Sequence, residues 1–272
     1  MQRLGINHGR YHGDSIDVDR TLAACDAAAR NQGWEREVLG PHEIGRPAYR
    51  RRSGRSGSPR IYVSSGIHGD EPAGPLAAMR LLEANDWPDA DLWLLPCLNP
   101  TGFRGNTREN ASGIDLNRDY RHFRSGEVRG HIAWLEQQPE FDLTLLLHED
   151  WESHGFYIYE VNRGHHPTLA PDMIQAVRPV CPVDESPVID GREISEPGIL
   201  RPVLSPESRP EWPEALWLIM NRTSLSYTLE APSDWPLETR VEALTRAVTA
   251  AMTAFVRGTG VPPALNRRQT AP

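Results

Sequence analysis

The sequence predicts an α/β fold: one domain with a mostly parallel sheet covered by helices on both faces. Three observations predict it. Short apolar runs of strand length alternate along the chain with amphipathic runs of helix length. Several of the apolar runs stop on a residue of catalytic type, as "DLTLLL" stops on His148 and "YTL" on Glu230. No internal repeat and no linker divides two cores within the 272 residues, a length that suits one large domain.

Each element has its own signal. Residues 15–30, "SIDVDRTLAACDAAAR", place apolar side chains at helical spacing, and 34–39, "WEREVL", alternate as a strand does. The stretch 51–60, "RRSGRSGSPR", is a solvated turn region, and "RIYVSSG" at 60–66 is a buried strand. A helix follows over 72–85, with Pro72 at its first position, where the missing N–H costs nothing. "ADLWLLPCL" at 90–98 is again a strand, and Asn99 to Arg124 is loop-rich, with Gly, Asn and Pro throughout. A helix at 127–138 precedes strands at 141–147 and 155–161, and 168–180 is helical. Residues 182–214 are rich in Pro, Ser and Glu and form a long surface excursion, a kind of segment that is often functional. "TSLSYTLE" at 223–230 is a late strand, and 237–258 is a strong closing helix. The catalytic domain is therefore expected over 1–258, with a loose Pro-rich tail over 259–272.

Composition removes several functions. The net charge of -8 argues against a nucleic-acid partner and against an anionic membrane surface. No apolar stretch approaches the roughly 20 residues that cross a bilayer. "MQRLGINHGRYHGDSID" lacks the apolar centre of a secretory signal. Cys25, Cys97 and Cys181 are odd in number and far apart, so no disulfide framework is expected and a reducing cytoplasm is the simplest home. All 29 basic residues are arginine. Without lysine, Schiff-base catalysis, pyridoxal-phosphate attachment and a P-loop are excluded.

Sheets of this kind carry their sites at the carboxyl ends of strands. His68 lies in the turn after "IYVSSGI", and Glu71 lies three residues on, near the helix start. Across such a turn an imidazole and a carboxylate converge on one ion, although Glu71 also suits a helix cap. His148 ends a second apolar run. Two histidines and a carboxylate, with a fourth position for water, make the His₂Glu set of hydrolytic zinc sites. His8, His12, His42, His165 and His166 lie in polar loop-like segments, and His122 and His131 are expected at the surface. His154, after three acidic residues, is the rival ligand. Glu230, at a third strand end, suits a general base for a metal-bound water. Arg108, Asn117 and Arg118 share one loop, "NTRENASGIDLNRDY". Asn with Arg grips a carboxylate, and a further arginine stabilises an oxyanion.

Together, "HGDE", "NPTG", Arg108 followed by "GIDLNRDY", a strand-ending His148 and "YTLE" resemble the zinc carboxypeptidases of the carboxypeptidase A type, in order, across residues 61–231. The resemblance implies a mixed, mainly parallel sheet between helices and one zinc ion held by His68, Glu71 and His148. It implies Glu230 as general base, Arg108 as the group that polarises the scissile carbonyl, and Asn117 with Arg118 as the grip on the substrate carboxylate. The short spacing from Arg108 to Asn117 is similar to the compact bacterial branches, which include murein peptide amidases and the succinylglutamate desuccinylase/aspartoacylase deacylases.

Two features depart from the digestive enzymes. No tyrosine lies between Cys181 and Ser226, where those enzymes carry a mobile-loop tyrosine, and Glu149, Asp150 and Glu152 follow the third ligand. The expected function is a zinc-dependent amide hydrolase acting beside a free carboxylate on small peptides, cell-wall peptides among them. The acidic cluster suggests a leaving residue with an extra amine. The alternatives are an N-acyl-amino-acid deacylase and a non-catalytic carboxylate-binding module. Asp70 and His154 mark where a second metal would be sought. The oligomeric state is not written in the sequence.

Overall fold

The computed structural model describes residues 3–8, 11 and 13–259; His12 and the expected tail beyond Thr259 lie outside them. In chain order the elements are α1 (Val18–Asn31), β1 (Glu35–Leu39), β2 (Arg46–Arg51), β3 (Arg60–Ser65), α2 (Ala73–Ala84), β4 (Asp91–Leu95), α3 (Pro100–Gly105), α4 (Gly126–Leu135), β5 (Leu143–Asp150), β6 (Tyr157–Asn162), α5 (Ala170–Val177), β7 (Val188–Ile189), β8 (Arg192–Glu193), β9 (Ile199–Leu200), α6 (Glu214–Asn221), β10 (Leu225–Pro232) and α7 (Leu237–Gly258).

Among the described residues one eight-stranded sheet runs β1-β2-β4-β3-β5-β10-β6-β9. Its centre is parallel: β4 with β3, β3 with β5 and β5 with β10. Antiparallel pairs flank it, β2 with β4 and β1 on one side, and β10 with β6 on the other. The mixed, mainly parallel sheet between helices is thus the observed architecture.

Alternation along β5 assigns its two faces. Leu143, Leu145 and Leu147 enter the larger core, with Ala77 and Leu81 of α2, Met173 of α5 and Leu244 and Val248 of α7. Leu146 enters the opposite core, with Trp93, Trp134 of α4 and Trp217 of α6. A central strand buried on both faces explains why "LTLLL" shows no alternation in sequence. Local chemistry fixes the helix starts. The Asp17 carboxylate accepts from the Arg20 N–H at α1, and the Ser125 hydroxyl accepts from the Val128 N–H at α4.

Three elements depart from expectation. β2 reads as polar because "RPAYRR" is half arginine, yet Arg46 is fully buried and its guanidinium donates to the carbonyls of Glu127, at 2.9 Å, and Gly40. The 182–214 excursion is not wholly irregular: it contains the β7–β8 hairpin, and β9 pairs parallel with β6. His131, expected at the surface, is buried. Its ring nitrogens lie 2.9 Å from the Tyr62 hydroxyl and 2.6 Å from that of Tyr120, which removes the cost of burying it.

Truncating the sheet centre should be costly and truncating the excursion should not. Leu145→Ala is expected to lower unfolding free energy by about 2–5 kcal/mol in urea titration. Val203→Ser, at a position 86% exposed, should stay within about 0.5 kcal/mol of the parent. Equal losses in the two variants would contradict the described core.

Candidate metal centre

The turn between β3 and α2 is shaped by two glycines. Gly66 has φ +64, and a Cβ there would lie 3.0 Å from the Phe103 ring and 3.1 Å from Cys97 Cα. A Cβ on Gly69 would collide with the Gly102 backbone at 2.1 Å. Asn99 ties the turn down, its amide donating to Ile67 O at 3.1 Å and Arg108 O at 3.3 Å. "SSGIHGDE" is therefore a turn pressed against α3, and it projects His68 and Glu71 toward the end of β5.

The neighbouring parallel strands complete the arrangement. Ser65 of β3 is opposite Leu147, and Glu230 of β10 is opposite His148. His68 Nδ1 lies 2.5 Å from one oxygen of Glu71, and His148 Nδ1 lies 3.0 Å from the other. All three residues are buried, and their donor atoms lie within 4.8 Å of one another, the one such group of three among the described residues. Both imidazoles aim the same nitrogen at the meeting point. The remaining His68 Nε2 is buried without a hydrogen-bond partner, 3.4 Å from the Asp115 carboxylate. A cation held at Nδ1 would leave the proton on Nε2, facing that carboxylate, the usual outer arrangement of a metal-bound histidine. The donor set fits a divalent ion of the zinc type.

Charge explains how Glu71 remains ionised. Burial pushes its carboxyl up, but His68 and His148 outweigh burial and hold it well below the usual carboxylate range. Burial pushes His68 down, while Glu71 and Asp115 bring it above its ordinary value; His148 ends below its own, chiefly through burial. Asp115 resists burial through His68, Arg108 and Arg118 and also lies below its usual range. For Glu230 every large influence works in the other direction. Burial, then Glu71 and Asp150, raise its proton affinity well above normal, and Arg108 only moderates this.

A cavity of about 360 Å³ collects the expected site residues: His68, Glu71, Arg108, Asn117, Arg118, His148 and Glu230 all line it. Arg108 lies 3.6 Å from Glu71 and donates from Nε to Asp115 at 2.9 Å. Asn117 accepts the Glu214 N–H on Oδ1 at 2.9 Å, which leaves its NH₂ for the cavity. Leu146 and Thr228 from the sheet and Leu216 and Ile219 from α6 also line it. Asp150, Glu152 and Asp190 lie on its wall. Glu149 also borders the cavity, but its carboxylate is engaged elsewhere, accepting the Ala73 N–H at 2.6 Å and the Arg240 guanidinium. His154 is exposed and its Nδ1 meets Arg3 at 2.7 Å, away from the three-residue group.

Several contributors escaped the sequence reading. Asp115 stood inside the quoted "GIDLNRDY" and received no role; its signal was its place between Arg108 and Asn117. Glu214 gave no local signal. Its carboxylate accepts from the Tyr62 and Ser64 hydroxyls, both at 2.9 Å, beneath Asn117. Tyr157 is opposite Glu230 in β6, and its hydroxyl donates to Asp150 at 3.0 Å.

Comparison with known proteins bears on the fold. Residues 57–178 match the profile of the succinylglutamate desuccinylase/aspartoacylase catalytic domain. Carboxypeptidase SOL1 of Arabidopsis thaliana is 28% identical over 115 residues, a match spanning 33% of this chain and 23% of that protein. A candidate metallopeptidase from Shewanella denitrificans superposes with a TM-score of 0.74 at 22% identity, covering 91% of this chain and 98% of that one. A metallo-carboxypeptidase from Pseudomonas aeruginosa, in complex with (2-guanidinoethylmercapto)succinic acid, superposes with a TM-score of 0.67 at 23% identity, covering 90% of this chain and 70% of that one. The chain therefore has the fold of these metallopeptidases and metallo-carboxypeptidases.

The Glu214 environment sets a pH test. Burial pushes its carboxyl up to about 7 from 4.5, against the Ser64 and Tyr62 hydrogen bonds that lower it. The folded state thus holds this proton more tightly than the unfolded state. The resulting stability is full below about 4.5 and is lost as pH rises toward 7. Glu214→Gln keeps the acceptor and removes the titration. Between pH 5 and 7.5 the parent should lose about 2–3 kcal/mol relative to this variant in urea unfolding. Parallel curves would show that Glu214 does not titrate in this range.

Proposed function

We propose that the protein is a zinc-dependent amide hydrolase that cleaves the bond next to a free carboxylate in small peptides. The observation that carries this reading is the single cavity lined by the His68–Glu71–His148 group, by Glu230 and by Asn117 with Arg118. His68, Glu71 and His148 would hold the ion. Bound there, zinc supplies Lewis acidity and lowers the pKa of a water toward about 7.

The chain's own groups do the rest. Asn117 NH₂ and the Arg118 guanidinium hold the substrate carboxylate, which places the scissile carbonyl toward Arg108. Glu230 takes a proton from the attacking water as the new C–O bond forms. Arg108 stabilises the charge gathering on the carbonyl oxygen. Glu230 then gives its proton to the leaving nitrogen as the C–N bond breaks, so the base is restored. Leu146, Leu216 and Ile219 receive the side chain of the leaving residue, and an amine on that side chain would meet Asp150 and Asp190. Cell-wall peptides, with their amine-bearing residues, are one class that suits this wall.

A second reading has its own support. The profile matched by residues 57–178 is that of deacylases, and the same machinery cleaves an N-acyl amino acid. In that case the acyl group takes the place of the preceding peptide.

Mass spectrometry of zinc-loaded protein with free and amidated peptides, cell-wall peptides and N-acyl amino acids separates the two readings. Release from free peptides, with amidated forms refused, is expected; release from acyl amino acids alone would favour the deacylase. Turnover of amidated peptides at equal rates would contradict the carboxylate grip. Glu230→Gln should bind zinc as the parent does and lose about 10²–10⁴-fold in kcat. Parent-like turnover would remove Glu230 from its role. Arg118→Ala is expected to lower kcat/KM for free peptides by about 10–100-fold, from loss of one charged pair. No change in kcat/KM would exclude Arg118 from binding.

A further inference from the structure

Glu149 and Arg240 form a pair that the reaction does not use. Both side chains are fully buried, with the Arg240 Nη1 donating to Glu149 Oε2. Such a pair is weak evidence for stability, because desolvating two charges offsets most of their attraction. Its contacts point elsewhere. The Glu149 backbone N–H donates to Glu71 Oε2 at 3.1 Å, and its side-chain Oε1 accepts the Ala73 N–H at 2.6 Å. Ala73 opens α2, two residues beyond Glu71, and Glu149 directly follows His148. One residue therefore clasps both ligand-bearing segments.

The clasp is itself held from two further elements. The Ser233 hydroxyl donates to Glu149 Oε2 at 3.2 Å from the end of β10. Arg240, in the first turn of α7, also donates to the Asp14 carboxylate, and lies 3.4 Å from the Tyr11 hydroxyl. The start of α2 lies flat on the sheet, for a Cβ on Gly74 would meet Ser65 Cβ at 3.1 Å and Leu147 O at 3.3 Å.

We propose that Glu149 and Arg240 are positioning residues for the metal centre: the pair fixes α2 against β5, and so fixes Glu71 relative to His148. The inference rests on reading His68, Glu71 and His148 as metal ligands. The Glu149 carboxylate is occupied by Ala73, Ser233 and Arg240, so the pair is assigned no contact with substrate. Their effect passes through the spacing of the ligands, so metal affinity and ligand geometry report it directly.

The test measures zinc affinity by chelator competition and the visible absorption of the cobalt-substituted protein. It compares the parent with Arg240→Met, Arg240→Lys, Glu149→Gln and Ser233→Ala. Circular dichroism establishes that each metal-free variant is folded. Arg240→Met and Glu149→Gln should bind zinc about 10–100-fold more weakly and change the cobalt bands. Arg240→Lys should recover part of the loss. Ser233→Ala, which removes one hydrogen bond from Glu149, should weaken zinc about fivefold. Parent-like affinity and cobalt bands in folded Arg240→Met would overturn the proposal. If that variant and Glu149→Gln do not fold, parent-like affinity in Ser233→Ala overturns it. A parent protein that binds no zinc would instead sink the metal reading itself, a separate result.

Discussion

The Glu71 carboxylate is the group around which the site is arranged. It is buried, it is ionised, and its partners come from several parts of the chain. His68 reaches it across the β3–α2 turn, His148 and the Glu149 N–H reach it from β5, and Arg108 lies 3.6 Å away. An isolated carboxylate in this position would be strongly unfavourable. The charge is tolerated because strand ends distant in sequence arrive together, and a divalent cation is the natural further partner.

The sheet topology makes that convergence possible. β5 lies between β3 and β10 with all three parallel, so their carboxyl ends open on the same edge. The alternation of β5 then divides two tasks. His148 and Leu146 face the cavity, whereas Leu147 and Glu149 face α2 and α7. In "LHE" the histidine thus faces the cavity while the residues on either side of it turn to the other face. The same logic applies to β10, where Thr228 and Glu230 line the cavity and Leu229 and Ala231 enter the larger core.

Much of this was legible in the sequence because the relevant physics is local. Strand-length apolar runs, helical periodicity and turn glycines act within a few residues, so α2 and α7 were read almost to their ends, while β5 and β10 run two to three residues further than their apolar stretches. The seven residues singled out in the sequence line one cavity for a related reason: they stand near strand ends or in one compact loop. What escaped depends on distant partners. Arg46 gives β2 a polar appearance, but its charge is absorbed by the Glu127 and Gly40 carbonyls. His131 looks like a surface residue until Tyr62 and Tyr120 surround it. Glu149 borders the cavity as expected, but a run of charge does not reveal that its carboxylate is taken up by Ala73 and Arg240.

The central claim is that His68, Glu71 and His148 hold one catalytic ion. Anomalous diffraction at the zinc absorption edge, from crystals grown with zinc, tests it most directly. The account predicts a single strong peak bonded to His68 Nδ1, His148 Nδ1 and the Glu71 carboxylate, at about 2.0–2.2 Å from each. An empty meeting point, with zinc absent or bound only elsewhere, would contradict it.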